Sequence, residues 1–403
     1  MIIGINATAA FIEPRTGVEE YTAQLIKHLT ILEESAKHRF LLYSPFNKEF
    51  DFHLPTNFKI KRLKWGLPAW TQMRLSAEMA VNRPDILFIP VHVLPLIHPQ
   101  NSIAVIHGLE YEYEPKMYPR RHLKYLRWSA KYALKNAARI IAISENTKND
   151  LIKIYGANPE KISVVHHGYA GLRHCEKRSD AAISSEFIET TGLPRFARND
   201  SVGSAEVQPP KYILFIGRLE MKKNIGGLVE AFNLFKKTYG LPHKLLLAGK
   251  RGYSYNTFAD ELARNEDIIE MGYVDEDEKW RLLKNAALFA FPVLYEGFGM
   301  PILEAQAAGC PVISSGISSL PEVAGEGAAF VSPKNIEQTA EMMYKIISDK
   351  ELKDDLIEKG FQNIKRFSWE KCARETLKIL TNSNSKAALS IKIQGQPFQK
   401  TKI

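Results

Sequence analysis

The stretch 292-PVLYEGFGMPILEAQAAGCPVISS-315 decides how the rest of the chain is read. It leaves a strand near Pro292, crosses a glycine-containing loop, enters a helix around Pro301-Ile302-Leu303-Glu304 and returns to an apolar run at Val312-Ile313. Pro301 suits a first helical turn, where its missing N–H has no partner to lose. Gly297 and Gly299 let the backbone approach a ligand closely and leave N–H groups aimed at it. A strand, a glycine loop and a helix N-terminus in succession form a ready anion site, most often for phosphate. Glu296 precedes the helix and Glu304 lies within it, eight residues later. At ~1.5 Å rise per residue that separation is about 12 Å, the span from a sugar to a ribose across a diphosphate.

Outward from this unit the pattern repeats. Short apolar runs alternate with longer amphipathic segments: 2-IIGIN, 40-FLLYS, 58-FKIKRL, 85-DILFIP, 102-SIAVIHG, 139-RIIAIS and 161-KISVVHH, then 212-YILFIG, 245-LLLAG, 268-IIEMGY, 288-LFAFP, 312-VISS and 328-AAFVS. Continuous apolar runs separated by helical patterns read as parallel strands covered on both faces. Two such sets predict an α/β protein of two doubly wound, Rossmann-like domains, whose ligands bind beyond the carboxyl ends of the strands. A length of 403 residues, 25% of them charged, accommodates two large domains and excludes global disorder. Three cysteines, Cys175, Cys310 and Cys372, are too few and too scattered for a disulfide framework or a zinc ribbon.

Between the halves, residues 170–210 mix charges, lack sustained periodicity and end in Pro209-Pro210. The wording of 173-RHCEKRSDAAIS and 192-GLPRFARND resembles peptides translated from palindromic repeat DNA inserted into bacterial genes. Lengthening a linker from ~10 to ~40 residues costs only about 1.2 kcal/mol of closure entropy, so such an insertion is tolerable without a function. The segment 382-NSNSKAALSIKIQGQPFQKTKI is polar and loses helix periodicity after Ala388, which predicts a disordered tail. The expected boundaries are therefore 1–168, a linker at 169–210, 211–366, a closing helix at 367–383 and a tail at 384–403.

A second chemical stretch is 215-FIGRLEMKKNIGGLVEAF-232, in which Arg218 and Lys223 follow a strand ending at Gly217. Arginine offers a planar fork of donors and lysine a compact charge, both suited to phosphate oxygens. Lys222 beside them reads as a solvated charge.

The run 295-YEGFGMPILEAQAAGCPVI-313, with Glu296 and Glu304, resembles the donor-site signature of the retaining glycosyltransferases of GT-B fold, glycosyltransferase family four (the glycosyl transferases group one domain). The resemblance implies two Rossmann-like domains facing across a cleft. It also implies transfer of a hexose, of the mannose or glucose type, from a GDP- or UDP-sugar to a glycan or lipid-linked acceptor in cell-envelope polysaccharide or glycolipid synthesis. In that family Glu296 would hold hydroxyls of the transferred sugar and Glu304 the ribose. Backbone amides of Gly297, Phe298, Gly299 and Met300 would face the sugar and diphosphate, Arg218 and Lys223 would grip the diphosphate, and Val274 in 271-MGYVDEDE-278 would lie against the base. In the first half, Gly17 of 16-TGVEEY-21 resembles the family's glycine loop, with Thr16 in place of one glycine. His107 resembles the active-site histidine, followed here by Gly108 where many relatives have aspartate, so that Glu110 and Glu112 remain open as substitutes. The resemblance also assigns the closing helix, marked by Phe367, Trp369, Ala373, Leu377 and Leu380, to the first domain, and the 318-SSLPEVAGEGAAFVSP-333 run reads as packing. No cofactor and no metal are expected.

Two other readings share the fold. A nicotinamide-dependent enzyme would need G-x-G-x-x-G after a strand and an acidic residue ~20 positions on, which is missing. A catalytically impaired nucleotide-sugar-binding protein is not required, since Arg218, Lys223, Glu296 and Glu304 are all present.

The net charge of +9 is concentrated in residues 1–168, which hold +7 of it. From Lys116 to Arg139 there are eight basic residues and no acidic one. At about 100° per residue, Arg120, Lys124, Arg127, Lys131 and Lys135 share one helix face, and Leu123, Leu126, Ala130, Leu134 and Ala137 another. Tyr125, Trp128 and Tyr132 flank the basic face, a pattern that fits anionic lipid headgroups. Nucleic acid is not expected, since no binding motif accompanies the charge. No run approaches the ~20 apolar residues of a membrane span, and the chain opens on Ile2-Ile3-Gly4-Ile5-Asn6 without a basic leader. The expectation is a cytoplasmic protein, peripheral on the cytosolic face of a membrane.

Overall fold

A computed structural model describes residues 1–169 and 212–393. All thirteen apolar runs are strands: β1 Ile2–Asn6, β2 Arg39–Ser44, β3 Phe58–Arg62, β4 Ile86–Ile89, β5 Ser102–Ile106, β6 Arg139–Ala142 and β7 Ile162–Val164, then β8 Tyr212–Ile216, β9 Lys244–Ala248, β10 Ile268–Gly272, β11 Leu288–Phe291, β12 Val312–Ser315 and β13 Ala329–Val331. They form two parallel sheets, β3-β2-β1-β4-β5-β6-β7 and β10-β9-β8-β11-β12-β13. Central strands such as β4 and β11 are buried along their whole length, which is why their sequences run apolar rather than alternating. In each sheet the strand order reverses beside the first strand, between β1 and β4 and between β8 and β11. Those reversals are the switch points at which doubly wound sheets bind ligands.

The chain divides into two compact units. The first comprises Met1–Leu109, Arg120–Gly168 and the chain from Ser368 onward; the second comprises Glu110–Pro119 and Tyr169–Phe367. Residues 110–119 fall in the second unit because Tyr113 stacks on Tyr295 at 4.9 Å and Glu110 lies 3.9 Å from Lys222. Phe367, expected in the closing helix, instead packs edge-on against Phe298 at 5.8 Å within the second unit.

The closing helix runs from Trp369 to Ile393, ten residues past the expected end at 383. Lys386-Ala387-Ala388-Leu389 are strong helix formers and no proline or glycine intervenes before Gly395, so backbone propensity carries the helix beyond its apolar stripe. It packs on the helix Gly17–Ile31, where Trp369 meets Tyr21. The inter-domain insertion and the remainder of the tail lie outside the described residues.

Candidate active site

In the second unit, β8 and β11 are neighbours, and the two charged motifs leave their carboxyl ends side by side. Beyond β8, Gly217 adopts φ 157°, and a Cβ on the adjoining Gly249 would collide with its carbonyl, so two loop backbones touch here. Arg218 follows, exposed, and forms no ion pair among the described residues. A Cβ on Gly252 would stand 2.7 Å from its Cγ, so that glycine gives the arginine stem its path. Lys223 forms an ion pair with Glu296, a partner 73 residues away, and its ammonium lies 5.6 Å from the Phe291 ring centroid. Asn224, left-handed at φ 56°, ends this turn by donating through Nδ2 to the carbonyls of Pro292 and Pro333 at 2.8 and 2.7 Å. Lys222 points elsewhere, 3.3 Å from Glu220.

The loop after β11 is pinned by three serines. The Ser315 hydroxyl donates to the Val293 carbonyl at 2.6 Å, and Ser318 Oγ accepts the Glu296 N–H at 3.2 Å. The Ser319 hydroxyl bridges the carbonyls of Glu296 and Phe298 at 2.8 and 2.9 Å. Packing alone therefore does not describe the 318-SSLPEVAGEGAAFVSP-333 run. Its first two serines, Ser318 and Ser319, hold the loop that carries Glu296, and their partners lie too far along the chain for any local pattern to mark them. Gly299 sits at φ 108° as the cap of the helix Met300–Ala307, and a Cβ there would meet Leu320 at 2.8 Å. Pro301 stands in the first turn, the Ile302 N–H donates to the Gly299 carbonyl at 3.0 Å, and the positive end of this helix suits an anion.

Glu304 lies on the same helix, with its Oε1 2.7 Å from the ammonium of Lys279. Lys279 also reaches Glu276 at 2.8 Å. Burial alone would lower its pKa, but Glu304 and Glu276 together overcome that and raise it, so the cation persists. Val274, in the turn after β10, is partly buried and packs its side chain on the core. Sequence reading missed Lys279, which looks like one more charge on the polar helix Glu276–Asn285.

In the first unit Gly17 is the first residue of the helix Gly17–Ile31, not a residue of a loop. Thr16, read as a departure from a double glycine, is its N-cap, and Glu19 accepts the Thr16 N–H at 3.1 Å. One turn on, Tyr21 presents its ring edge-on to His107, with centroids 4.9 Å apart, and stacks on His167 at 4.6 Å. His107 Nε2 is 2.6 Å from the Pro90 carbonyl, which can only accept, so Nε2 carries the hydrogen and Nδ1 is left as an acceptor. Burial lowers the His107 pKa to about 4 despite that hydrogen bond, and the ring is neutral at pH 7. Glu110 accepts from Tyr118 at 3.3 Å within the second unit. Among the described residues, no group of three or more His, Cys, Asp or Glu side chains is placed to hold a metal ion.

Residues 15–170 match the glycosyltransferase family 4 model and residues 197–363 the model for glycosyl transferases group 1. The chain is 26% identical over 284 residues to the O-antigen chain mannosyltransferase B of Escherichia coli, covering 69% of each. The sucrose-phosphate synthase of Thermosynechococcus elongatus superposes with a TM-score of 0.71 at 17% identity, over 96% of this chain and 99% of that one. Anabaena HepE in complex with UDP and glucose superposes with a TM-score of 0.65 at 15% identity, over 94% and 99%. The architecture is that of GT-B glycosyltransferases.

Proposed function

Because the chain belongs to the glycosyl transferases group 1 of glycosyltransferase family 4 and so transfers glycosyl groups, we propose that it moves a hexose from a nucleotide diphosphate sugar to a glycan or lipid-linked acceptor hydroxyl, with retention at the anomeric carbon. The observation that carries this reading is the Lys223–Glu296 pair at the N-terminus of the helix Met300–Ala307. It joins a phosphate-type cation and a hydroxyl-type acceptor at one switch point. Mannose is the favoured sugar, since the E. coli relative is a mannosyltransferase; the UDP and glucose held by HepE make a glucose-type donor the second reading.

In this reading Arg218, Lys223 and the leading amides of Gly297 to Met300 receive the diphosphate, Glu296 takes sugar hydroxyls, and Glu304 and the Val274 turn hold the nucleoside. The bond between the anomeric carbon and the phosphate oxygen breaks as the acceptor oxygen bonds on the same face, and the acceptor proton passes to the departing diphosphate. Most of the rate would come from fixed positive charge on the leaving group and from positioning. Neutral His107 would act as a hydrogen-bond acceptor through Nδ1 and place a hydroxyl without taking up charge. Gly17 would contribute its N–H at the start of its helix.

A panel of UDP- and GDP-sugars, assayed for released nucleotide and for the anomeric configuration of the product by NMR, tests the proposal. Product of inverted configuration, or no release with any donor and acceptor, would overturn it.

The acceptor side is proposed to meet an anionic membrane surface through the basic helix Arg120–Asn136. Tyr125 and Trp128 are 39% and 41% exposed, and Tyr132 donates to the Leu96 carbonyl at 3.1 Å, which places exposed Leu96 and Ile97 beside them. The buried face is narrower than expected, formed by Ser129, Ala130, Ala133 and Ala137, with Leu123 and Leu126 half-buried. No helix among the described residues is long and apolar enough to cross a membrane.

A further inference from the structure

We propose that Lys279 is a positioning residue for the donor nucleoside: it locks Glu304 in the orientation that accepts ribose hydroxyls and ties that carboxylate to the turn carrying Val274. The inference rests on the donor-site reading above and adds to it a residue that no motif marks.

The ammonium of Lys279 touches two carboxylates of different character. Glu276 is 66% exposed, whereas the side chains of Lys279 and Glu304 are only 12% and 13% exposed. Water competes for the first pair and is largely kept from the second, so the Lys279–Glu304 contact fixes geometry. The three charges span two helices, Glu276–Asn285 and Met300–Ala307. Glu276 and Lys279 stand in the first turn after Asp275, whose Oδ1 caps the helix by accepting the Glu278 N–H at 2.8 Å. Val274 precedes that cap, so the turn assigned to the base and the carboxylate assigned to the ribose are linked through one lysine.

The position gains little for the helix itself. The first turn already holds Glu276, Asp277 and Glu278, as the positive end of a helix dipole favours, and a lysine following them works against that dipole. Its retention of charge comes from Glu304 and Glu276, with the Trp280 ring centroid 5.9 Å away. A carboxylate offers about four acceptor positions, so an ammonium on Oε1 and a vicinal diol can share Glu304. With the ammonium in place, the carboxylate plane cannot turn freely, and its remaining lone pairs keep one direction.

The experiment is isothermal titration of the full chain with UDP and GDP and with their 2′-deoxy and 3′-deoxy counterparts. The wild-type protein is expected to bind one ribonucleotide about 10-fold or more tighter than a deoxy form, the scale of one hydrogen bond to a charged group. Lys279→Met should weaken the ribonucleotide by about 10-fold, leave the deoxy form nearly unchanged and bring the ratio toward one. Glu304→Gln should do the same, the double variant should be no worse, and Lys279→Arg should restore most of the ratio. Should Lys279→Met melt below the assay temperature, Lys279→Gln is read in its place. A wild-type ratio in the Lys279 variant, or equal loss for ribo and deoxy forms, overturns the inference alone. A wild-type protein that binds neither UDP nor GDP overturns the donor-site reading together with it.

Discussion

Lys223 and Glu296 neutralise each other beyond the end of β11, and in the proposed reading an entering diphosphate would share that lysine. Arg218, exposed and without an ion pair among the described residues, is the more readily recruited charge. Replacing either Arg218 or Lys223 by alanine is expected to lower turnover by at least ~100-fold, the scale of losing one transition-state donor. Glu296→Gln should depress kcat more than nucleotide affinity if, as proposed, Glu296 takes hydroxyls of the sugar rather than the nucleotide. Steady-state kinetics beside titration with UDP and GDP separates the two, and unchanged kinetics in both cation variants would refute the assignment. At His107 the expected outcome is an absence of titration: its NMR signals should not move between about pH 5 and pH 8, since burial holds the pKa at about 4.

The element that carries the most chemistry is the loop from β11 into the helix Met300–Ala307. Its shape depends on serines from the neighbouring β12 crossing and on the left-handed Gly299. Gly299→Ala puts a methyl group into a φ of 108° and within 2.8 Å of Leu320, and a loss of about 1–3 kcal/mol is expected. Ser319→Ala removes a bridge to two carbonyls and should cost about 1–2 kcal/mol. Denaturant midpoints measure both, and donor KM should rise with them if loop shape sets the site. For the basic helix Arg120–Asn136, co-sedimentation should require anionic lipid, weaken with salt and drop in an Arg120/Lys124/Arg127→Glu variant; equal partitioning to neutral vesicles would contradict that surface.

At the scale of the whole molecule, the first unit is closed by a segment that returns after the second unit is complete. Gly168 and Trp369 meet where those two pieces join, and a Cβ on Gly168 would collide with the Trp369 backbone nitrogen. Gly168→Ala must therefore displace backbone, and a loss of about 1–3 kcal/mol is expected in thermal or denaturant melts. The same region holds two buried imidazoles. Burial lowers His107 to about 4 and His167 well below its ordinary 6.5, so the unfolded chain binds more protons than the folded one in that range. Stability is then full above about pH 6.5 and declines as pH falls from there toward about 4. A Tm that holds constant across that window would contradict the burial of these rings.

Periodicity by itself determined all thirteen strands and the two doubly wound sheets, because parallel strands covered by helices read as short apolar runs between amphipathic segments. The family signature was equally legible, since a glycine loop, a proline in the first turn and two glutamates lie within one short stretch. Everything that depends on a partner distant in the chain was decided by tertiary structure. Ser318 and Ser319 looked like packing until their hydrogen bonds to the Glu296 loop were in place, and Lys279 looked like surface charge until it met Glu304. Gly17 took a helical position because Thr16 caps it, and residues 110–119 joined the second unit because Tyr113 found Tyr295. Backbone preference and hydrophobic period are properties of neighbours along the chain, whereas a hydrogen bond or ion pair across a switch point exists only once the sheet has brought its strand ends together.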